Sequence, residues 1–273
     1  MRTILSLIIV MRPHNVAAAL LSVAVGFAMT GGTRWPWLVF AAAAFATAAG
    51  NTINDIYDVD IDRVNKPRRP LAAGALGVNA AIGLYAFFFA AAVFLMLFLP
   101  GGAAVWIGVW IVLLHIYSWR LKRMYLAGNV LVSAVAGSGF LLGAHVGGDV
   151  TAGAVPAVFT FFFVMGREIV KDTDDIEGDR VCGAKTFPIV SGRRAALTTA
   201  LAIFHALCIA FPVPAYIGMY GRAYALVMML SVVPILLISM WIILRGRSLG
   251  VVSALLKIGM FFGCVAFYLG PRR

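Results

Sequence analysis

The sequence predicts an all-α integral membrane protein of nine transmembrane helices, and three observations lead there. Of its 273 residues 62% are hydrophobic and 12% charged, with a mean hydropathy of +0.96, too little polar surface to clothe a soluble globule of this size. Apolar stretches of membrane-crossing length recur along the whole chain. Ten of the eleven acidic residues fall in two short windows, Asp55 to Asp62 and Glu168 to Asp179, and only Asp149 lies outside them.

Charged or Gly/Pro-rich breaks delimit each element. Residues 1–12 form an apolar lead with Arg2 and Arg12 at its ends and no small-residue cleavage site, which reads as an uncleaved interfacial segment. The first span runs over about residues 15–31 and the second over about 36–57, which ends among carboxylates. The third and fourth cover about 78–98 and 103–119, either side of the Pro100-Gly101-Gly102 break. The fifth covers about 126–146 and the sixth about 153–173, which again ends among carboxylates. The seventh, eighth and ninth cover about 194–212, 222–244 and 250–269. No linker or composition shift divides them, so the chain is read as a single domain over residues 1–273.

Assigning alternate loops to one face puts 17 of the 22 Lys and Arg with the N-terminus and at or after the ends of spans 2, 4, 6 and 8, with Lys257 inside the ninth span. The other four are Arg34, Arg222, Arg272 and Arg273. That split is the positive-inside pattern of a multi-pass cell-membrane protein with a cytoplasmic N-terminus, and it sets both acidic windows on the cytoplasmic face. The net charge of +11 then reads as topology and attraction to anionic membrane lipids, not as a nucleic-acid surface. Cys182, Cys208 and Cys264 have neither disulfide nor metal-site spacing.

In the first window Asp55, Asp58 and Asp62 stand at i, i+3 and i+7, and in the second Asp172, Asp175 and Asp179 repeat that register. Each set marks one face of a helix. Carboxylates about 6 Å apart repel by roughly 3 kcal/mol per pair at an effective dielectric near 20, so such stripes ask for a cation. Hard oxygen donors that leave positions open for water and phosphate suit Mg²⁺ and anticipate a phosphorylated substrate. One Asp-rich stretch alone reads equally as a solvated face; two in a single register do not. The stripes sit four spans apart, on helices running in the same direction, which suggests a parallel duplication with weak similarity elsewhere. Asp60, Asp174 and Glu177 fall off the stripe and are assigned to solvent or local partners.

A diphosphate needs cations as well, and the same loops carry Lys66, Arg68, Arg69, Arg120, Lys122, Arg123, Arg167, Lys171, Arg180 and Lys185. Donors aimed at departing oxygens stabilise the transition state more than the ground state, although any single one also reads as topogenic. At the end of span 4, Tyr117 and Ser118 fall just below the expected phosphates, and the Tyr117 ring could shield an allylic cation or serve as a belt tyrosine. The four histidines, His14, His115, His145 and His205, form no ligand pattern.

The strings NTINDIYDVDIDRVNKPRRPLAAG and REIVKDTDDIEGD resemble the two signatures, NDxxDxxxD and DxxDxxxD, of UbiA-type intramembrane prenyltransferases. MRPHN, YSWRLKR with Gly128-Asn129, and GAKTFPIVSG extend the resemblance over most of the chain. It implies nine helices around a central cavity, two Mg²⁺ ions bridging a polyprenyl diphosphate, and prenyl transfer to a small acceptor. It matches Asn54, Asp58, Asp62, Asp175 and Asp179 to metal positions, places Asp55 and Asp172 beside them, and sets Lys122 and Arg123 near the diphosphate. Lys171 and Arg68 are further candidates for the diphosphate, Arg12, Asn15 and again Arg68 for a basic pocket that takes the acceptor's own phosphate, and Tyr117 for the prenyl end of the site.

Within that superfamily RPHN, IDRVNKPRRPLAAG and REIVKDTDDIEGD are similar to archaeal digeranylgeranylglyceryl phosphate synthases, with chlorophyll synthases the second likeness. The first implies transfer of a geranylgeranyl group to the hydroxyl of a lipid phosphate, geranylgeranylglyceryl phosphate; members with aromatic acceptors share the metal motifs. Asp55 or Asp172 could take the acceptor's proton, although a metal-bound carboxylate is a poor base. A cation transporter is the competing class, opposed by carboxylates at helix ends instead of the midplane. A metal-dependent phosphotransferase fits the topology with a different acidic signature expected.

Overall fold

The computed structural model describes residues 2–270 as an all-α bundle. Arg272 and Arg273, two of the four cations assigned to the outer face, lie outside the described residues, as does the side chain of Arg2. In chain order the helices are α1 (Arg2–Val10), α2 (Pro13–Met29), α3 (Trp37–Tyr57), α4 (Val59–Asn65), α5 (Val78–Met96), α6 (Gly101–Trp119), α7 (Ala127–Val146) and α8 (Ala154–Asp174). There follow α9 (Ile176–Val181), α10 (Phe187–Ser191), α11 (Arg193–Ala210), α12 (Val213–Tyr216), α13 (Arg222–Val227), α14 (Val233–Leu244) and α15 (Leu249–Leu269).

Every predicted span coincides with a helix to within a few residues, because lipid leaves a polar break as the main place a spanning helix can end. Among the described residues seven segments are long and apolar enough to cross a membrane: 78–96, 101–119, 127–146, 150–174, 193–216, 222–244 and 249–269. The first two predicted spans are present as α2, a shorter apolar helix of 17 residues, and α3, whose last two turns carry Asn51, Asn54 and Asp55. The lead is α1: Val10 is fully buried among Leu71, Leu76 and Ala81, while Leu5, Ile8 and Ile9 stay exposed on the other side.

Two expectations change in detail. The eighth span is not one regular helix; a π turn, Met228–Val232, separates α13 from α14 where Pro234 removes a backbone donor. The glycines between 137 and 143 serve helix contact. A Cβ on Gly143 would come within 2.7 Å of the Phe27 nitrogen on α2, and one on Gly137 within 2.5 Å of the Ala157 carbonyl on α8. Backbones thus meet where side chains would hold them apart. Finally, neither acidic stripe lies on a single straight helix. Asp58 (φ −96°, ψ 2°) closes α3 and opens α4, and Asp175 (φ −90°, ψ 5°) does the same between α8 and α9.

The same bonds flank both bends: Asp58 N–H donates to the Asn54 carbonyl and Asp175 N–H to the Lys171 carbonyl, each at 3.0 Å, while the Asp58 and Asp175 carbonyls accept from Asp62 and Asp179. The two bends repeat each other in dihedral angles and in bonding, which is the structural form of the duplication read from the acidic register. Their short continuations, α4 and α9, pack together. Two cores flank this junction, one in α8, α11 and α13–α15 around Phe204, Tyr224, Leu236 and Leu256, the other in α2, α3 and α6 around Val23, Ala42 and Ile107.

Candidate active site

The bends deliver the acidic residues into one cavity of about 1060 Å³ that holds Asn54, Asp55, Asp58 and Asp62 from one motif and Asp172, Asp175 and Asp179 from the other. The cavity continues between the helices past Trp110, Phe140, Phe163 and Phe267, so a charged mouth opens into an apolar groove. Asp60, Asp174 and Glu177 are exposed; Asp60 pairs with Arg63 at 2.8 Å, and Asp174 touches the cavity edge.

Asn65, the last residue of α4, joins the two motifs. Its side chain donates to the Asp175 carbonyl (3.0 Å) and accepts from the Gly178 N–H (3.0 Å). A Cβ on Gly178 would lie 2.5 Å from that amide, so the glycine is what lets α9 seat against it. Gly128 plays the same part beneath the turn Leu121–Arg123, where an added Cβ would lie 2.7 Å from the Lys122 Cα. That turn carries Lys122 and Arg123 inward after α6 ends.

Each motif is clasped by cations from other segments. Lys122 Nζ lies 2.6 Å from Asp58 and donates to the Asn54 side-chain oxygen at 3.1 Å, while Asn54 donates to Asp58 at 3.0 Å. Lys66 Nζ lies 2.6 Å from Asp175. Arg69 donates to Asp62 at 2.7 Å and reaches Asp55 at 3.5 Å, and Arg12 pairs with Asp55 as well. Arg123 donates to the Tyr57 carbonyl at 3.0 Å. Asp172 accepts from Asn129 at 2.8 Å, and Lys171 lies 3.4 Å from Glu168.

Burial, then proximity to Asp175 and to Asp58 across the cleft, pushes the Asp179 carboxyl up to about 6. Burial also raises Asp62 against the pull of Arg69 and lowers the Lys66 and Lys122 ammoniums, whose carboxylate partners oppose the shift. Lys66 and Asn65, which follow the first motif, bond to Asp175 of the second, so the two motifs face each other.

The predicted site residues therefore converge, with two exceptions. Arg68 is exposed and lies outside the cavity, in a shallow depression with Ile9 and Pro67; its neighbour Arg69 is the arginine that turns inward. Ser118 is fully buried and donates to the Leu114 carbonyl at 2.8 Å, so it does not reach the cavity as Tyr117 does. Asn15 lines the cavity and donates to Asn51 at 3.1 Å, and Asn51 donates to the Met11 carbonyl at 2.9 Å, anchoring the left-handed Arg12 (φ 49°). Sequence reasoning gave no role to Asn65, Asn129 or Lys257. A lysine alone in the apolar run of the ninth span is a legible signal; the two asparagines carry none without the fold.

All the motif donors are hard oxygens, which suits Mg²⁺. Among the described residues, no three His, Cys, Asp or Glu side chains converge tightly enough to cage an ion. The donor set fits ions that take one or two carboxylates and complete their shell with phosphate and water. The profile of the UbiA prenyltransferase family matches residues 18–265.

The chain belongs to the UbiA prenyltransferase family.

It is 37% identical to the UbiA-family relative digeranylgeranylglyceryl phosphate synthase of Natronomonas pharaonis, over 99% of this chain and 98% of that one. It is 35% identical to the enzyme of the same name from Methanothermobacter thermautotrophicus, over 96% and 94%. A solved structure of a digeranylgeranylglyceryl phosphate synthase superposes with a TM-score of 0.73 at 28% identity, covering 99% of each chain. A UbiA homolog from Archaeoglobus fulgidus bound to GPP and Mg²⁺ shares the fold, with a TM-score of 0.64, 22% identity, and coverage of 95% and 99%.

Proposed function

We propose that this UbiA-family enzyme transfers a geranylgeranyl group from its diphosphate to the hydroxyl of geranylgeranylglyceryl phosphate, using two Mg²⁺ ions at a cytoplasmic site beneath nine membrane-crossing helices. The observation that carries this reading is the pairing of two opposed aspartate bends, each clasped by lysine or arginine, at the mouth of a groove lined by aromatic and aliphatic side chains. Full-length relatives named for this reaction, and a fold shared with a homolog bound to GPP and Mg²⁺, support it. An aromatic acceptor shares the same metal motifs and is the alternative outcome of the assay below; no feature of the cavity favours transport.

Bound Mg²⁺ supplies charge neutralisation that makes the diphosphate a better leaving group. The chain's own part begins with partner exchange. Asp58, Asp62, Asp175 and Asp179 are the residues that would hold the metal, and Lys66, Lys122 and Arg69, each paired with a motif carboxylate, lie where they can turn to diphosphate oxygens. Their charge then meets the negative charge that grows on the departing group, which favours the transition state over the ground state. Tyr117, exposed to the cavity within electrostatic reach of Lys171 and Asp172, offers its ring to the developing allylic cation. The aromatic groove orders the isoprenoid tail and keeps water from the cation. Asp172, held by Asn129, is the carboxylate best placed to accept the acceptor's proton, since no lysine or arginine forms an ion pair with it among the described residues.

The test is a radiolabel assay on purified protein with geranylgeranyl diphosphate, Mg²⁺, and either geranylgeranylglyceryl phosphate or 4-hydroxybenzoate. Label moving to the lipid phosphate supports the proposal. Label moving only to the aromatic acid, or diphosphate release with neither acceptor consumed, overturns it.

A further inference from the structure

The mechanism above leaves one charged group in the cavity unused. Arg167 on α8, Lys257 on α15 and His14 on the first turn of α2 all line the cavity, and among the described residues none of them pairs with a stripe aspartate as Lys66 and Lys122 do. Helix register brings the first two together. A Cβ on Gly250 would lie 3.7 Å from an Asp174 carboxylate oxygen, and one on Gly259 would lie 3.1 Å from the Phe163 ring, so α8 and α15 pack antiparallel with 250 opposite 174 and 259 opposite 163. Seven residues, two turns on the same face, separate Asp174 from Arg167 and Gly250 from Lys257. Both cations therefore stand at one level, roughly 10 Å from the cytoplasmic end of the helix pair at 1.5 Å per residue. Arg12, Arg167 and Lys257 all act electrostatically on His14, which closes the cluster from the α2 side.

The balance of charge at this wall is positive. Glu168 is the buried carboxylate there, and it is divided between Arg167 and Lys171. Lys257 and His14 make no hydrogen bond or ion pair among the described residues, and the buried Nε of Arg167 has no partner. Glu168 alone cannot balance three cations, and a guanidinium with an unused N–H beside an ammonium that has no ion pair is a donor set for a phosphate. Of the sequence's candidates for the acceptor phosphate, Arg12 and Asn15 are already engaged by Asp55 and Asn51, and Arg68 lies outside the cavity.

We propose that Arg167, Lys257 and His14 form a second anion subsite that binds the phosphomonoester of the acceptor lipid, separate from the diphosphate clasp. This rests on the reading of the acceptor as a glycerophosphate lipid. Glu168 holds Arg167 in place and would oppose an anion drawn too far toward α8, which sets the phosphate on the α15 side. The same wall opens on the apolar groove, so the acceptor's own chain has a path beside the donor's.

The experiment measures binding of radiolabelled geranylgeranylglyceryl phosphate and of geranylgeranyl diphosphate to wild type, Lys257→Gln, Lys257→Arg and His14→Gln in lipid nanodiscs, together with turnover. The expected result for Lys257→Gln is at least tenfold weaker binding of the acceptor and an equal rise in its KM. Diphosphate-donor binding and kcat at saturating acceptor stay within twofold, and Lys257→Arg restores affinity. Geranylgeranylglycerol, which lacks the phosphate, is expected to bind equally to wild type and Lys257→Gln. Unchanged acceptor affinity in Lys257→Gln, or equal losses for donor and acceptor, overturns the subsite. Wild-type protein that binds the lipid phosphate without prenylating it defeats the functional reading instead, and the binding comparison still decides the subsite.

Discussion

At the residue scale the site is held by matched charges, and its chemistry depends on exchanging them. Asp58 and Asp175 are the bend residues and the carboxylates under Lys122 and Lys66. Replacing either by Asn keeps the shape and hydrogen bonding of the bend but removes the charge a divalent ion needs. Asp58→Asn and Asp175→Asn are expected to lower kcat at least a hundredfold with the melting temperature nearly unchanged, measured by the radiolabel assay and by thermal unfolding in detergent. The carboxyl of Asp179, pushed up to about 6 by burial and by Asp175, sets the pH dependence. A carboxylate raised from 3.8 favours the folded metal-free state at low pH, and that contribution is lost as pH rises through about 6. Metal binding requires the ionised form, so Mg²⁺ affinity runs the other way. The rise in melting temperature produced by Mg²⁺ with inorganic diphosphate is expected to be full at pH 7.5 and to shrink steadily below about pH 6. A rise independent of pH between 5 and 7.5 would separate Asp179 from the metal.

At the scale of elements, two close approaches hold the cavity open at its mouth and shut along its sides. Asn65 ties α4 to α9 through Asp175 and Gly178, so Asn65→Ala is expected to let the two motifs drift and to cut kcat at least tenfold while leaving expression and membrane insertion intact. Gly143 lets α7 meet the α2 backbone, where a Cβ has no space. Gly143→Ala is expected to lower stability by about 1–3 kcal/mol, the usual cost of overpacking, read as a lower unfolding midpoint. These elements also show what the sequence could convey. Span limits were legible because lipid forbids polar breaks, and the two acidic motifs because i, i+3, i+7 spacing marks one face whatever the path of the helix. That same indifference hid the bends at Asp58 and Asp175. The inward turn of Arg69 instead of Arg68 was hidden as well, since adjacent loop arginines differ only in tertiary direction. Asn65 and Asn129 are single polar residues whose partners lie 110 and 43 positions away, a separation no local pattern encodes.

At the scale of the whole molecule the two acidic bends need a common face, and that requirement constrains how α2 and α3 lie. Their bends end helices that run in the same direction, and α4 packs on α9, so α3 must enter the site from the side of the membrane from which α8 enters it. α8 belongs to a segment long and apolar enough to cross completely. If α3 crosses likewise, the turn between α2 and α3 emerges on the face opposite the site; if only the seven longest apolar segments cross, it stays on the face of the site with residues 66–77. Thr33 is exposed in that turn and can carry the label. In a Cys182→Ser, Cys208→Ser, Cys264→Ser background, Thr33→Cys is expected to react with a membrane-impermeant maleimide in right-side-out vesicles and to be protected in inside-out ones. The native Cys182, retained alone, is expected to show the reverse, because it follows α9 at the mouth of the site. Cytoplasmic reactivity at both positions would leave α2 and α3 as a re-entrant pair, and the nine-crossing arrangement would fall while the paired aspartate site remained.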